Sequence, residues 1–433
     1  MSVETANLAA SLGLAIPHVC LPRPEVDLSR WAVIACDQFT SQPDYWQQVE
    51  SIVGQAPSAL HLVLPEIYLE HPGNISVEKR ISQINETMSQ YLTDGTLQRL
   101  EAGWIAIDRA TPDHASRKGL VLAIDLEQYD FKPGNRKLIR ATEGTVLDRI
   151  PPRLAIRRDA PLEFPHVQLL IDDPARTVIE PLLSAAASGQ PLYETSLMQG
   201  GGHVRGWFIP GNSSLLQTAL DALAALDSLI RHGLLFAVGD GNHSLATAKT
   251  HWENLRGQVA ADHPARFALA EVINIHDQGL AFEPIHRVVF NCDPEHFIAE
   301  ATRYFAEQGF TISACETFGT TEETHGRQII PMLCRNLLWE IRLDAPLHNL
   351  AAGSVQNFLD HLTAQSDCRI DYIHGEDVVR QLSDQGHIGL LLPPLDKNSF
   401  FSAIALEGVL PRKTFSMGEA CEKRYYIEGR VIR

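Results

Sequence analysis

The chain lacks any uninterrupted apolar run near the ~18 residues that a membrane-spanning helix requires. Its first 20 residues carry no basic segment leading into an apolar core. Neither a membrane span nor a secretory leader is expected, and the reading is a soluble, cytoplasmic protein. Cysteine is sparse: seven residues (20, 36, 292, 315, 334, 368 and 421), odd in number and without a C-x-x-C pair. That pattern excludes a disulfide frame and a thiolate zinc site and leaves reduced thiols. Positive charge is also short, 36 basic residues against 53 acidic for a net −17. A nucleic-acid backbone or an anionic membrane repels such a chain, so general nucleic-acid binding and membrane binding are excluded as roles.

What is present is apolar material: 45% of 433 residues, enough for two to three domains with large, dry cores. Strand-like and helix-like segments alternate without repeats or a low-complexity linker, which gives a mixed α/β class, with mixed sheets flanked by helices. Soft boundaries near 130 and 290 divide the chain into an N-terminal α/β region (1–130), a central phosphate-binding region (131–290) and a C-terminal α/β region (291–433), with one compact unit as the alternative. Trp31-Ala-Val-Ile-Ala-Cys36 is suited to a buried strand and ends in Asp37 and a polar turn. Ile81, Ile84, Met88, Tyr91 and Leu92 fall at helical spacing before Gly95; Trp104–Asp108 and Gly119–Asp125 read as strands. From Ser214 to Ile230 the spacing predicts one broad apolar helix, stopped by Gly233. A strand at Leu234–Val238 follows. Beyond it lie a helix near Pro294 to Ala306, strands near Ile329 to Cys334 and Leu337 to Leu343, a helix near Val355 to Ala364 and a strand at Ile370 to His374.

The most informative segment is Gly239-Asp-Gly-Asn-His243, a glycine turn between a strand and a helix. Glycines let the backbone approach a ligand closely, and the helix start presents N–H groups and a positive dipole end that suit a phosphate or carboxylate. Asp240 and His243 then sit where an anion would lie, with Gly241 and Asn242 between them. An ordinary turn whose Asp or Asn caps the helix accounts for the same pattern. It is neither a Walker loop nor a G-x-G-x-x-G fingerprint. Arg140-Ala-Thr-Glu-Gly-Thr-Val-Leu-Asp-Arg149 gathers two arginines suited to phosphate oxygens, Glu143 as a proton acceptor or divalent-ion ligand, and the Thr145 hydroxyl. A solvated loop with local ion pairs is the alternative. Glu283-Pro-Ile-His-Arg287 and Pro411-Arg-Lys-Thr-Phe-Ser-Met-Gly418 add His286, Arg287, Lys413 and Thr414 as two compact anion grips of a kind also common on surfaces. Gly200-Gly-Gly-His-Val-Arg205 gives a flexible loop that could close over a ligand, with a plain glycine-rich turn as the preferred reading.

The order of IACDQFTSQPDYW, RATEGTVLDRIPPR, DGNHSLATAK, EPIHRVVF, IDYIHG and LPRKTFSMG resembles the family known as domain of unknown function 1015, in a long form, across essentially the whole chain. In that family the central motif usually reads D-G-H-H-R; here it is Asp240-Gly-Asn-His-Ser244, so a phosphate contact made by that arginine has no counterpart at Ser244. The D-G-x-H turn ahead of an alanine-rich helix is in turn similar to the ParB/sulfiredoxin-like superfamily, which includes nucleotide-binding partition proteins and ADP- or ATP-dependent free-serine kinases. That resemblance implies a ParB/sulfiredoxin-like element around Asp240–His243. It also implies nucleotide phosphates held at the turn and a carboxylate acting on a substrate hydroxyl.

The expectation is an enzyme, a small-metabolite phosphotransferase or kinase, moving a phosphoryl group between a nucleotide and serine, phosphoserine or a similar hydroxy acid. Phosphoryl transfer asks for charge neutralisation and a positioned acid or base. Asp37, Glu143, Asp240 and His243 are the candidate catalytic residues. Arg140, Thr145, Arg149, Gly241, Asn242, His286, Arg287, Lys413 and Thr414 are the candidate phosphate and substrate contacts. ATP or ADP with magnesium, on Asp240 or Glu143, are the implied cofactors; nothing signals haem, flavin, NAD or structural zinc. The partner is a small anionic metabolite. A non-catalytic nucleotide or metabolite sensor and a phosphatase-like hydrolase remain alternatives.

Overall fold

The strand pair Leu97–Ala110 and Arg117–Asp125 frames the first of two units in the computed structural model, which describes residues 2–70, 73, 75–132, 134–317, 323–324, 326–335, 337–411 and 413–433. Met1–Ala281, Ile404–Gly408 and Gly418–Arg433 form that unit, and Phe282–Ala403 with Val409–Met417 form the other. Ile105 pairs with Val121 and Ile107 with Gly119. Side chains alternate across a strand, so Ile105, Ile107 and Val121 point to one face. There they join Trp31, Trp46 and Tyr91 in a large buried core. The opposite face is covered by the helix Ile179–Ala186, which in turn packs on the helix Ser214–Ala224. A strand buried on both faces reads as a continuous apolar run, and Leu120–Ile124 is one.

The first unit's sheet runs in the order Tyr193–Leu197, Gly202–Pro210, Leu97–Ala110, Arg117–Asp125, Phe267–Asn274, Gln168–Ile171, Phe236–Asp240, Ile139–Arg140, Tyr129–Asp130. Its first half is antiparallel, whereas Phe267–Asn274 runs parallel to Gln168–Ile171 and Phe236–Asp240 parallel to Ile139–Arg140. The mixed α/β class expected from the sequence is the class observed, with helices flanking mixed sheets. One expected helix is two: Ser214–Ala224 ends at Ala225, and Asp227–His232 starts anew after Leu226, whose extended backbone breaks the spacing. Gly233 closes the second in the left-handed conformation, at φ 58°. The Trp31–Cys36 run contributes only Val33–Ile34 as strand, because Asp27 caps a short helix, Leu28–Trp31, that takes up its start.

The second unit is antiparallel, in the order Phe310–Cys315, Leu337–Leu343, Arg327–Cys334, Ile388–Leu390, Phe282–Phe290, Arg369–His374. Val289 faces the core under the helices Pro294–Tyr304 and Ala351–Gln365, and its neighbour Val288 faces Val379 of the helix Glu376–Asp384. Among the described residues no helix is long and apolar enough to cross a membrane.

Candidate functional site

Asp37 is placed by a strand that exists only because the end of the chain pairs with it. Val33–Ile34 pairs antiparallel with Tyr425–Tyr426, and Ala35 N–H donates to the Arg424 carbonyl at 2.8 Å. The carboxylate accepts from Gln38 Nε2 at 2.9 Å and faces His166 Nε2 at 3.5 Å. The other nitrogen of His166 meets the Tyr426 hydroxyl at 2.7 Å, and that hydroxyl also accepts from the Cys36 N–H at 3.0 Å. Burial pushes the Asp37 carboxyl up, but the His166 charge and hydrogen bond, Gln38 and the Lys423 ammonium outweigh it and hold the group below the usual carboxylate range. Burial pulls His166 down, and Asp37 more than reverses it, so the imidazole is held well above its ordinary value. The two form an ion pair whose histidine is buried and whose aspartate keeps one side to solvent, 27% exposed.

The glycine turn lies directly against this pair. His166 precedes the strand Gln168–Ile171, which pairs with Phe236–Asp240 through a register shift between Val238 and Asp240. Gly241 has φ 78°, and a Cβ there would stand 3.0 Å from Val167 Cα and 3.4 Å from His166 Cδ2. Glycine adopts this backbone conformation without strain and avoids the crowding a side chain would meet. Gly241 N–H donates to Asp240 Oδ1 at 2.9 Å, and the helix Asn242–Leu255 then starts with no side-chain cap. Its positive dipole end favours negative charge. Asn242 Oδ1 and Thr145 Oγ1 are buried without a hydrogen-bond partner, two polar atoms whose burial has a cost until something meets them.

The Arg140–Arg149 segment joins the same turn. Thr142 Oγ1 donates to the Val238 carbonyl at 2.6 Å, and Val146 N–H donates to His243 Nε2 at 3.3 Å. A ring nitrogen that accepts carries no proton, so this contact belongs to the neutral imidazole. Glu143 and Thr145 are half-buried between these anchors, and Arg149 is exposed. The Arg140 guanidinium donates to the carbonyls of Lys137 (3.0 Å), His232 (3.1 Å) and Gly233 (3.4 Å), at the end of the helix Asp227–His232.

Lys423, which no sequence motif marks, supplies the cation. Its ammonium lies 3.3 Å from Asp240 Oδ2. Buried Arg109 holds the backbone beneath it: Nη1 donates to the carbonyls of Glu422 (3.0 Å) and Lys423 (2.5 Å), Nη2 to those of Cys421 (2.9 Å) and Gly201 (3.2 Å). The glycine-rich 200–205 turn is thereby tied to the C-terminal segment.

His286, Arg287, Lys413 and Thr414 belong to the second unit. Fully buried Arg287 donates to Gln356 Oε1 at 3.1 Å and to the Lys413 carbonyl at 3.0 Å, and stacks on Tyr372. Thr414 Oγ1 donates to the Pro411 carbonyl at 2.7 Å, Lys413 is exposed, and Arg412 lies outside the described residues. His286 Nδ1 accepts from Leu392 N–H at 3.1 Å, and burial pulls its pKa down to about 4.

Within the first unit the fold thus gathers Asp37, Glu143, Thr145, Asp240, Gly241, Asn242 and His243 and adds His166, Lys423, Tyr426 and Arg109. Neither His166 nor Lys423 is marked by a sequence motif; the partner of Lys423 is 183 residues away, the difference between positions 240 and 423. The arrangement offers an ionised carboxylate, a cation and an uncapped helix start, the elements that orient a hydroxyl and neutralise a phosphate. Among the described residues no three His, Cys, Asp or Glu side chains form a metal cage. Magnesium commonly takes one or two carboxylates and completes its shell from substrate phosphates. Asp240 has lone pairs left for that role beyond its contacts with Gly241 and Lys423.

Solved structures to which the chain is similar include the following three, each at a TM-score below 0.5. A conserved hypothetical protein from Pyrococcus furiosus is 9% identical, with 71% of this chain and 94% of that one covered and a TM-score of 0.38. A free serine kinase in complex with AMP is 10% identical, with 71% and 90% covered and a TM-score of 0.39. SbnI with a C-terminal truncation, from Staphylococcus aureus, is 11% identical, with 69% and 82% covered and a TM-score of 0.36. No curated protein matches the chain. The family described as protein of unknown function (DUF1015) matches residues 17–362, and the chain belongs to that family.

Proposed function

We propose that the protein is a small-metabolite phosphotransferase that moves a phosphoryl group between a nucleotide and the hydroxyl of serine or a similar hydroxy acid. The observation that carries the reading is the shared border of two devices: the Asp37–His166 pair and the Asp240–Lys423 turn meet where Gly241 packs against His166. Phosphoryl transfer needs little beyond such an acceptor for the hydroxyl proton and a cradle for phosphate charge.

In the forward direction the terminal phosphates lie against the start of the helix Asn242–Leu255, with the Lys423 ammonium turning from Asp240 toward their oxygens. Lys423 would supply the charge that Ser244 lacks. The acceptor hydroxyl sits at the Asp37 carboxylate. Its oxygen forms the new bond to phosphorus, the bond from phosphorus to the bridging oxygen breaks with its electrons going to the departing nucleotide, and Asp37 takes the hydroxyl proton. His166 holds Asp37 ionised and aimed until then. Magnesium bound to the nucleotide would neutralise further phosphate charge, with Asp240 as its protein ligand.

The test is transfer between labelled ATP or ADP and serine, and the reverse with phosphoserine, by wild type, Asp37→Asn and Lys423→Met. The reading expects wild-type turnover, a loss of about 10²–10⁴-fold in Asp37→Asn, typical of a missing general base, and weakened nucleotide binding in Lys423→Met. Nucleotide binding with no transfer in either direction would favour the sensor. Release of inorganic phosphate without an acceptor would favour the hydrolase.

A further inference from the structure

Beside the Asp37–His166 pair, and wholly within the first unit, lies a cavity of about 130 Å³. Most of its wall is apolar, with Leu62, Leu64, Met88, Ile156, Leu162 and Phe164 among its lining. Its polar lining includes His166, Tyr426, Ser244 and Thr247, so it borders both the histidine that pairs with Asp37 and the helix that follows the glycine turn. Two arginines reach it, each paired with a carboxylate: Arg153 with Glu66, and Arg157, whose Nε has no hydrogen-bond partner, with Glu163 at 2.5 Å, a carboxylate that Arg430 also holds at 2.9 Å.

Those features separate two ligand chemistries. A phosphate carries concentrated negative charge and would lose its hydration against a wall that is aliphatic over most of its extent, where both arginines are already paired with carboxylates. An apolar group displaces only weakly held water from a wall that offers it few hydrogen bonds. The phosphate end of the reaction therefore belongs at Lys423 and the helix start, and this cavity belongs to something neutral and compact.

We propose that the cavity receives the apolar body of the hydroxyl-bearing acceptor, so that the substrate class is a hydroxy compound carrying a branched aliphatic or aryl group larger than the side chain of serine. The inference rests on the phosphotransferase reading for its hydroxyl, which the cavity's His166 end delivers to Asp37. It adds the specificity determinant: Ile156 and Leu162 set the size of group accepted, and the neutralised arginine pairs set its charge.

The experiment uses benzyl alcohol and 3-methylbutan-1-ol as probes, with binding to the full chain followed by saturation-transfer NMR. Two variants fill the cavity from different walls, Ile156→Trp at its half-exposed side and Val63→Phe beside Leu62; melting curves verify that each is folded. Wild type is expected to bind both alcohols, and the filled variants to lose at least tenfold in affinity while nucleotide affinity holds. In transfer assays a hydroxy acid with an apolar body should exceed serine in kcat/KM, and filling should erase the preference through KM. Absence of alcohol binding by wild type overturns the inference, as does binding unchanged in a folded filled variant. The two readings fail separately: alcohols bound in the cavity without transfer to any acceptor would sink the phosphotransferase, whereas a hydroxy acid with an apolar body phosphorylated equally well before and after filling would sink the acceptor cavity alone.

Discussion

The Lys423 ammonium stands 3.3 Å from the Asp240 carboxylate, in a turn whose helix begins uncapped. Lysine is a compact, mobile point charge, so in the proposed reaction this pair is a resting position from which Nζ would swing to a phosphate oxygen. Lys423→Met should weaken nucleotide binding by on the order of tenfold, the loss of one charge-assisted contact of about 1.5 kcal/mol. Stability should change by only about 1 kcal/mol, because Asp240 stays partly hydrated. Calorimetric titration with ATP and ADP measures the first and thermal unfolding the second. Wild-type affinity in Lys423→Met would remove the turn from the phosphate site.

The Asp37–His166 pair predicts a window of pH in which it stabilises the fold. Asp37 is depressed on folding, so its contribution is present above the unfolded value of about 3.9 and is lost as pH falls. His166 is raised, so its contribution is complete below the unfolded value of about 6.5 and is lost only as pH climbs through the higher folded value. The pair is therefore worth most between those limits. His166→Asn should cost about 2 kcal/mol near pH 6, less than the 3–5 kcal/mol of a fully buried pair because Asp37 keeps contact with water. The deficit should shrink below pH 4. A deficit independent of pH from 3 to 7 would mean that packing, not charge, holds this contact.

Local signals were enough for most elements. The spacing of Ile84, Met88 and Tyr91 marks the helix Val77–Thr93, and apolar runs mark Leu97–Ala110 and Arg117–Asp125, because a helix or a doubly buried strand writes its period into adjacent residues. Asp37 and the Asp240 turn were visible for the same reason, each lying at a strand end. His166, Tyr426 and Lys423 were not, since what gives them meaning is the pairing of Tyr425–Tyr426 with Val33–Ile34, and long-range pairing leaves no periodic trace. Arg140 shows the converse. Its residue type suits phosphate, yet its guanidinium is engaged by the carbonyls that end the helix Asp227–His232, a partnership fixed by tertiary structure.

Gly241 tests the turn without touching a charge. Its φ of 78° strains any non-glycine residue, and the 3.0 Å approach to Val167 Cα would force a methyl group against the neighbouring backbone. Gly241→Ala should destabilise the protein by about 1–3 kcal/mol, the usual cost of a strained non-glycine backbone. It should also displace the helix start from any bound phosphate. Denaturant unfolding and nucleotide titration on the same preparation should both change. A variant as stable as wild type would show that the turn relaxes easily and that its geometry is not demanding.

Arg109 offers the sharpest separation of positioning from plain stability. One guanidinium gathers carbonyls from residues 421, 422 and 423 and from Gly201, so it fixes the backbone from which Lys423 reaches Asp240. Arg109→Met would strand several buried carbonyls at about 1–3 kcal/mol each and is expected to unfold the segment or the protein. Arg109→Lys keeps a charge but loses the planar fork, and is the informative change. If Arg109 acts through Lys423, Arg109→Lys should weaken nucleotide binding while leaving acceptor binding at Asp37 intact. Adding Arg109→Lys to Lys423→Met should then lower nucleotide affinity no further than Lys423→Met alone, since coupled residues are not additive. Losses that simply add in the double variant would make Arg109 a general support of the fold with no particular hold on the lysine.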